Sequence, residues 1–255
     1  KPYKKRGGIV YMLKVAMLSG WHVHARGYAN ELKSIPEVEI AAVWDEDPER
    51  GSSWADDLGV PFESDLDTLL DQDDIDGVVV DTPTNMHEEV MVKAAEAGKH
   101  IFTEKVMALT VDKCQRIEKA VKENNVKFCI SFPHRTRPEI LFAKKAQDQG
   151  LLGEITSLRI RNAHNGSIAD WLPEHFYSKE ECGGGAMMDL GAHGMYISRW
   201  FLGKPSKITS VFNNVTDREV EDNAISVIEF ENKAIAVNET GFVSTNDPFT
   251  LEVNG

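Results

Sequence analysis

The sequence predicts an α/β protein in two parts, a doubly wound parallel sheet followed by an α+β domain with an open, mostly antiparallel sheet. Three observations predict it. Residues 12–134 alternate short apolar runs with helix-spaced segments, the rhythm of parallel strands joined by crossover helices. That alternation opens on a strand, a glycine turn and a helix at 12–32. After Pro138 it gives way to period-two runs separated by Asn, Asp and Gly, the pattern of antiparallel strands.

The elements follow in order. Leu13 to Leu18 is an apolar strand, Ser19-Gly20 a turn, and Tyr28, Ala29 and Leu32 mark one face of a helix. Val38 to Trp44 is the second strand. Asp47-Pro48 caps a helix running to Leu58, with proline at the first helical position. A short helix covers 65–70. Gly77 to Val80 is a buried strand by its unbroken β-branched run. Helices at 84–98 and 110–124 flank a strand at 101–103, and 126–131 is the next strand. A helix at 138–149, a strand at 155–163 and an irregular aromatic segment at 167–182 come next. The run 183–202 reads as one glycine-led helix. Strands at 208–213, 224–230, 234–243 and 249–253 finish the sequence.

Composition excludes several classes. The 255 residues carry a net charge of −13. Residues 1–11 hold four basic groups and no acid, so the remainder stands at −17, a surface that repels nucleic acid and anionic membrane. No apolar run reaches transmembrane length. Cys114, Cys129 and Cys182 form no disulfide framework and no C-x-x-C site, which suits a reducing cytoplasm. Residues 1–11 lack the apolar core of a secretory signal and read as a tag or upstream remnant, with Met12 as the natural start. The domains are then 12–134, binding a dinucleotide, and 135–255, binding substrate and carrying oligomer contacts. An exposed antiparallel sheet face predicts at least a dimer.

The chemistry sits at strand ends. The turn Ser19-Gly20-Trp21-His22 precedes a helix N-terminus, where unpaired N–H groups and the helix dipole favour a diphosphate. Aligned on G-x-G-x-x-G, only Gly20 survives, with Leu18 and Val23 at the other glycine positions. Asp45 ends the second strand, where an acid receives ribose hydroxyls. Glu46 and Asp47 follow, and three carboxylates disfavour a 2′-phosphate, so NAD is expected over NADP. Helix capping is the competing role for these acids. Thr82, Pro83 and His87 follow the next strand, beside the expected nicotinamide half. Glu104 and Lys105 follow the strand after that, and the lysine can donate to a substrate hydroxyl. Asp189 and His193 lie four apart in GGGAMMDLGAH, spaced for one helix face, with His193 as a base near neutral pH and Asp189 as its orienting carboxylate. A surface histidine is the competing reading. His22-x-His24 and the Asp189/His193 pair could each contribute metal ligands, but no third partner is marked by spacing and no metal is expected.

Together, the altered glycine turn, Asp45, Thr82-Pro83 with His87, AGKHIFTEKV (97–106) and GGGAMMDLGAH (183–193) resemble the Gfo/Idh/MocA-type oxidoreductases, over residues 12–255. The resemblance implies a Rossmann domain, then an α/β domain whose open sheet often serves oligomerisation. It implies hydride transfer between NAD and a secondary hydroxyl of a sugar or cyclitol. Lys105 matches the lysine of the family's Glu-Lys-Pro motif, and Asp189 and His193 match its Asp and His pair. In this reading His193 takes the hydroxyl proton, Lys105 holds the same oxygen, and Asp189 positions the imidazole. Arg135, Trp171, His175 and Tyr177 are expected substrate contacts, with packing as their competing role. Val106 stands where the family has proline. The last sheet strands are missing, so truncation is expected. An NAD-dependent glycosidase of the same family and a non-catalytic NAD- or sugar-binding regulator are the alternative functions.

Overall fold

The computed structural model describes residues 12–245 and 249–255; the expectation of a remnant at 1–11 lies outside them. Two compact units divide the chain, one ending at Ser131 and the other beginning at Phe132.

The first unit is built on a five-stranded, all-parallel sheet. Its strands are β1 (Leu13–Leu18), β2 (Val38–Trp44), β3 (Gly77–Val80), β4 (His100–Thr103) and β5 (Phe128–Ile130), in spatial order β2-β1-β3-β4-β5. The order reverses beside β1, so a crevice opens past the carboxyl ends of β1 and β3. Alternate residues of β1 serve opposite faces. Val15 and Met17 pack with Ala25 and Ala29 of α1 (Ala25–Lys33) and with Trp54 of α2 (Pro48–Leu58). Ala16 and Leu18 face α3 (Leu66–Leu70), α4 (His87–Glu96) and α5 (Val111–Glu123) through Leu69, Val90, Met91 and Ile117. Local chemistry sets the helix starts: the Asp47 carboxylate accepts from the N–H groups of Glu49 and Arg50, Asp65 from Thr68, and Thr110 from Lys113.

The second unit carries a mixed sheet of β6 (Ser157–Ala163), β7 (Pro205–Asn213), β8 (Asn223–Phe230), β9 (Ile235–Gly241) and β10 (Thr250–Asn254), in the order β10-β6-β9-β8-β7. Three pairings are antiparallel; β6 and β9 run parallel. On its inner face Leu158, Ile160, Ile228 and Ala236 pack against Ile140 of α6 (Pro138–Asp148) and against Ile197 and Phe201. On its outer face Val211, Ile225, Val227 and Ile235 are exposed.

The single helix expected over 183–202 is instead α8 (Ala186–Asp189) and α9 (Gly191–Leu202), preceded by the short α7 (Lys179–Cys182). The backbone stays helical at Leu190 (φ −76, ψ −35), but the carbonyls there are taken from the side. Asn238 donates to the Gly191 carbonyl at 2.7 Å, Asn162 to Leu190 at 3.4 Å, and Thr240 to Ala186 at 3.2 Å. Gly185 starts α8 by lying against Glu221. A Cβ there would sit 1.9 Å from the Glu221 carbonyl oxygen, so no other residue fits without moving the backbone.

Candidate functional site

In the first unit the turn after β1 is held by internal hydrogen bonds. Ser19, at φ +75, takes the left-handed conformation of the turn, while Leu18 remains in the strand with no exposed surface. The N–H of Gly20 donates to Asp45 Oδ2 at 2.8 Å, that of Trp21 to Ser19 Oγ at 3.0 Å, and that of His22 to the Asp81 carbonyl at 3.1 Å. An anion at this end therefore meets the first-turn N–H groups of α1, where Arg26 and Gly27 are exposed. Trp21 and His22 are buried at 6% and 5% exposure, and Val23 faces outward.

Asp45 sits at the carboxyl end of β2, 2% exposed, and its oxygens also accept from the Asp47 N–H at 2.8 Å and from the Arg50 guanidinium at 2.5 and 3.0 Å. Arg50 bonds Glu46 as well, so its charge is neutralised by two acids. Glu46 Oε2 is buried and has no partner, which leaves it as an open acceptor next to Asp45. Burial, then the neighbouring Asp45 charge, push the Glu46 carboxyl up. A close approach makes this corner possible: a Cβ on Gly51 would come 2.5 Å from Asp45 Cβ and from the Phe62 ring.

At the ends of β3 and β4 two loops are tied together. His87 opens α4 and is fully buried. Its Nδ1 lies 2.9 Å from the Val106 carbonyl and its Nε2 3.1 Å from the Thr82 carbonyl. His87 therefore joins the Thr82-Pro83 loop to the Lys105 loop, rather than presenting its ring to a ligand. The Lys105–Val106 peptide is cis. Lys105 is buried, with only 5% of it exposed. Its N–H donates to Glu104 Oε2 at 2.8 Å. Glu104 Oε1 accepts from the Tyr28 hydroxyl and pairs with His24 Nδ1 at 2.9 Å, and Tyr28 also bonds Ser131 Oγ at 2.7 Å. Burial would raise the Glu104 carboxyl, but the His24 hydrogen bond and the charges of His22 and Lys105 outweigh it and hold it ionised. Beside it, Asp81 is wholly buried and neither carboxyl oxygen has a partner; burial, then the Glu104 charge, hold its carboxyl well above the usual range.

In the second unit His193 lies in α9, 5% exposed, with Nδ1 2.8 Å from the Tyr196 hydroxyl. That hydroxyl accepts from the His134 N–H at 3.1 Å, and the His134 and His193 rings are 4.4 Å apart. Asp189, half-buried, ends α8, and His193 lies in the first turn of α9, with Leu190 between them in helical backbone. Arg135 lies over the Trp200 ring at 4.5 Å. Trp171 is exposed, with Nε1 donating to Asn165 at 3.0 Å. His175 is half-buried beside Phe176. Tyr177 packs in a core cluster with Leu172 and Phe242, its hydroxyl 3.0 Å from Ser167 Oγ. Sequence reasoning assigns no site role to Tyr28, Asp81, Asn85 or Tyr196. Tyr28 and Tyr196 gain meaning from partners on other elements, Glu104 and His134, and Asp81 and Asn85 from their burial.

Residues 17–132 match the model of an oxidoreductase family with an NAD-binding Rossmann fold, and residues 140–255 match that family's GFO/IDH/MocA C-terminal domain. A levoglucosan dehydrogenase of Pseudarthrobacter phenanthrenivorans is 28% identical over 219 residues, covering 75% of this chain and 56% of that protein. The scyllo-inositol 2-dehydrogenase (NAD+) of Bacillus subtilis is 30% identical over 222 residues, covering 84% of this chain and 61% of the relative. The chain thus spans little more than half the length of these relatives. GenD2 from gentamicin A biosynthesis, solved in complex with NAD, superposes with a TM-score of 0.89 at 28% identity, over 99% of this chain and 73% of that one.

The residues present fit the cofactor named in the family description. Buried polar atoms without protein partners, Glu46 Oε2, Thr82 Oγ1 and Asn85 Oδ1, lie at the ends of β2 and β3, where a dinucleotide's hydroxyl and amide groups need partners. At this corner the Asp45 and Glu46 carboxylates share the Arg50 guanidinium. On these grounds the chain belongs to the Gfo/Idh/MocA family of oxidoreductases, with its NAD-binding Rossmann fold and its C-terminal domain.

Proposed function

We propose that this chain is the cofactor- and substrate-handling part of an NAD-dependent dehydrogenase acting on a secondary hydroxyl of a sugar or cyclitol. The observation that carries the reading is the buried Lys105 at the end of β4, anchored through Glu104 in a family of oxidoreductases. Relatives named for levoglucosan and scyllo-inositol support the substrate class.

NAD, held by Asp45, Glu46, Thr82, Asn85 and the start of α1, would supply the hydride acceptor. Lys105 would hydrogen-bond the reacting oxygen and favour its alkoxide form by charge. His193 would take the hydroxyl proton at Nε2, the nitrogen away from Tyr196, and Tyr196 would fix the ring. Asp189 would orient substrate or imidazole. Trp171, His175 and Arg135 would contact the sugar, whereas Tyr177 would support that segment from within the core. The three cysteines are free, which supports a reducing cytoplasm. The exposed outer face of β7–β9 supports a homo-oligomer. No helix among the described residues is long and apolar enough to cross a membrane.

The test is NAD reduction with a panel of sugars and cyclitols, comparing the wild type with Lys105→Ala and His193→Ala. Each substitution should lower kcat by about 10²–10⁴-fold, the range for loss of a proton-transfer or charge-stabilising group. Equal turnover in all three proteins would refute the assigned roles. NAD binding with no turnover on any substrate would favour a regulator instead.

A further inference from the structure

The sequence marks His22 and His24 as a pair without a third ligand. The fold supplies one. Glu104, at the end of β4, brings its carboxylate to both imidazoles, and one donor atom from each of His22, His24 and Glu104 lies within 4.8 Å of the others. We propose that these three residues form a binding site for a divalent transition-metal cation of the zinc type, at the carboxyl edge of β1 and β4.

Four observations support it. Two imidazoles and one carboxylate are the donor set that zinc takes when it keeps a further position open, whereas magnesium and calcium prefer oxygen ligands. Ligand atoms around a tetrahedral ion with bonds of about 2.0–2.1 Å stand roughly 3.3 Å apart. The His24 Nδ1 and Glu104 Oε1 pair is already at 2.9 Å, and the His22 and His24 ring centroids are 4.7 Å apart, so only a small closure of His22 is needed.

The second support is charge. Asp81 lies beneath the group with both carboxyl oxygens buried and unpartnered, and its carbonyl accepts from the His22 N–H at 3.1 Å. Two acids, Asp81 and Glu104, are thus buried at one strand edge, where a cation is the natural counterpart. The third is orientation. The Tyr28 hydroxyl and the Lys105 N–H bond the Glu104 carboxylate and fix its direction, as outer partners of metal ligands do. The fourth is access. Half of the His24 side chain is exposed, which gives an ion a way in.

A His24–Glu104 ion pair without metal is the competing explanation, and His24→Gln separates the two. The amide can still donate to Glu104 but is a far poorer ligand than imidazole. The full chain, stripped with a chelator, is titrated with Zn²⁺ by calorimetry and with Co²⁺ by visible absorption. The expected result is one ion per chain, a tetrahedral cobalt spectrum, and at least a tenfold loss of affinity in His24→Gln with an unchanged circular dichroism spectrum. Less than stoichiometric binding, or equal affinity in the variant, overturns the proposal. NAD binding, followed separately by fluorescence on the metal-free protein, should be the same in wild type and variant. Loss of NAD binding with zinc binding intact would strike the dehydrogenase reading alone.

Discussion

His87 is the side chain whose burial has the clearest consequence for pH. Burial lowers its pKa, against carbonyl hydrogen bonds that work the other way, so it stays neutral in the fold when an unfolded histidine would charge. The unfolded chain then binds more protons below about pH 6.5, so stability is complete above that value and declines as the pH falls. His87→Leu should remove part of this acid sensitivity. It should also cost about 1–3 kcal/mol at neutral pH, because whichever carbonyl, of Thr82 or Val106, accepts from the ring loses its donor. Thermal unfolding of both proteins from pH 5 to 8 checks this, and parallel curves would refute it. Single residues were legible where a local motif carried them: Lys105 follows its strand directly, and His193 follows three glycines. Glu104 was legible as a position but not as a hub, since its partners His24 and Tyr28 lie 80 and 76 residues away. The sequence places His87 beside the cofactor, and nothing in it shows that carbonyls surround the ring.

At the level of elements, most strands and helices follow from periodicity and caps, and their bounds shift by one to three residues. The helix over 183–202 is the exception. Its spacing is helical throughout, so the break at Leu190 has no sequence signal. There Asn162, Asn238 and Thr240, side chains of β6 and β9, also donate to the helix carbonyls. The start of α8 is fixed as tightly. Glu221 accepts from the Gly185 N–H at 2.9 Å and the Met187 N–H at 3.0 Å, and its carbonyl accepts from Ala186 at 2.9 Å. Gly185→Ala should therefore cost at least the upper end of the usual overpacking range, about 3 kcal/mol. Urea unfolding of the variant measures the loss; a change below about 1 kcal/mol would show that the contact with Glu221 relaxes freely. The parallel pairing of β6 with β9 was also beyond reach, because alternation tells which face a residue takes and not which strand lies beside it.

For the whole molecule, the outer face of the second sheet sets the expected assembly. Val211, Ile225, Val227 and Ile235 are exposed together, and on the inner side Ile208 and Phe212 of β7 also lie open. Light scattering coupled to size exclusion should show a dimer or larger species, and Val227→Asp should shift it towards monomer; a wild-type monomer would refute the assignment. The net charge of −13 was legible at once, whereas the apolar face needed the strand register to be seen. The hydrogen bonds on Glu104 have a consequence of another kind. They gather residues 24, 28 and 105, and through Tyr28 also Ser131 at the far end of the unit. Contacts of such sequence separation must wait for the intervening loops to close. This corner can form only after β3, β4 and β5 have joined β1 in one sheet, so ligand capture during refolding reports completion of the sheet and not its first helices.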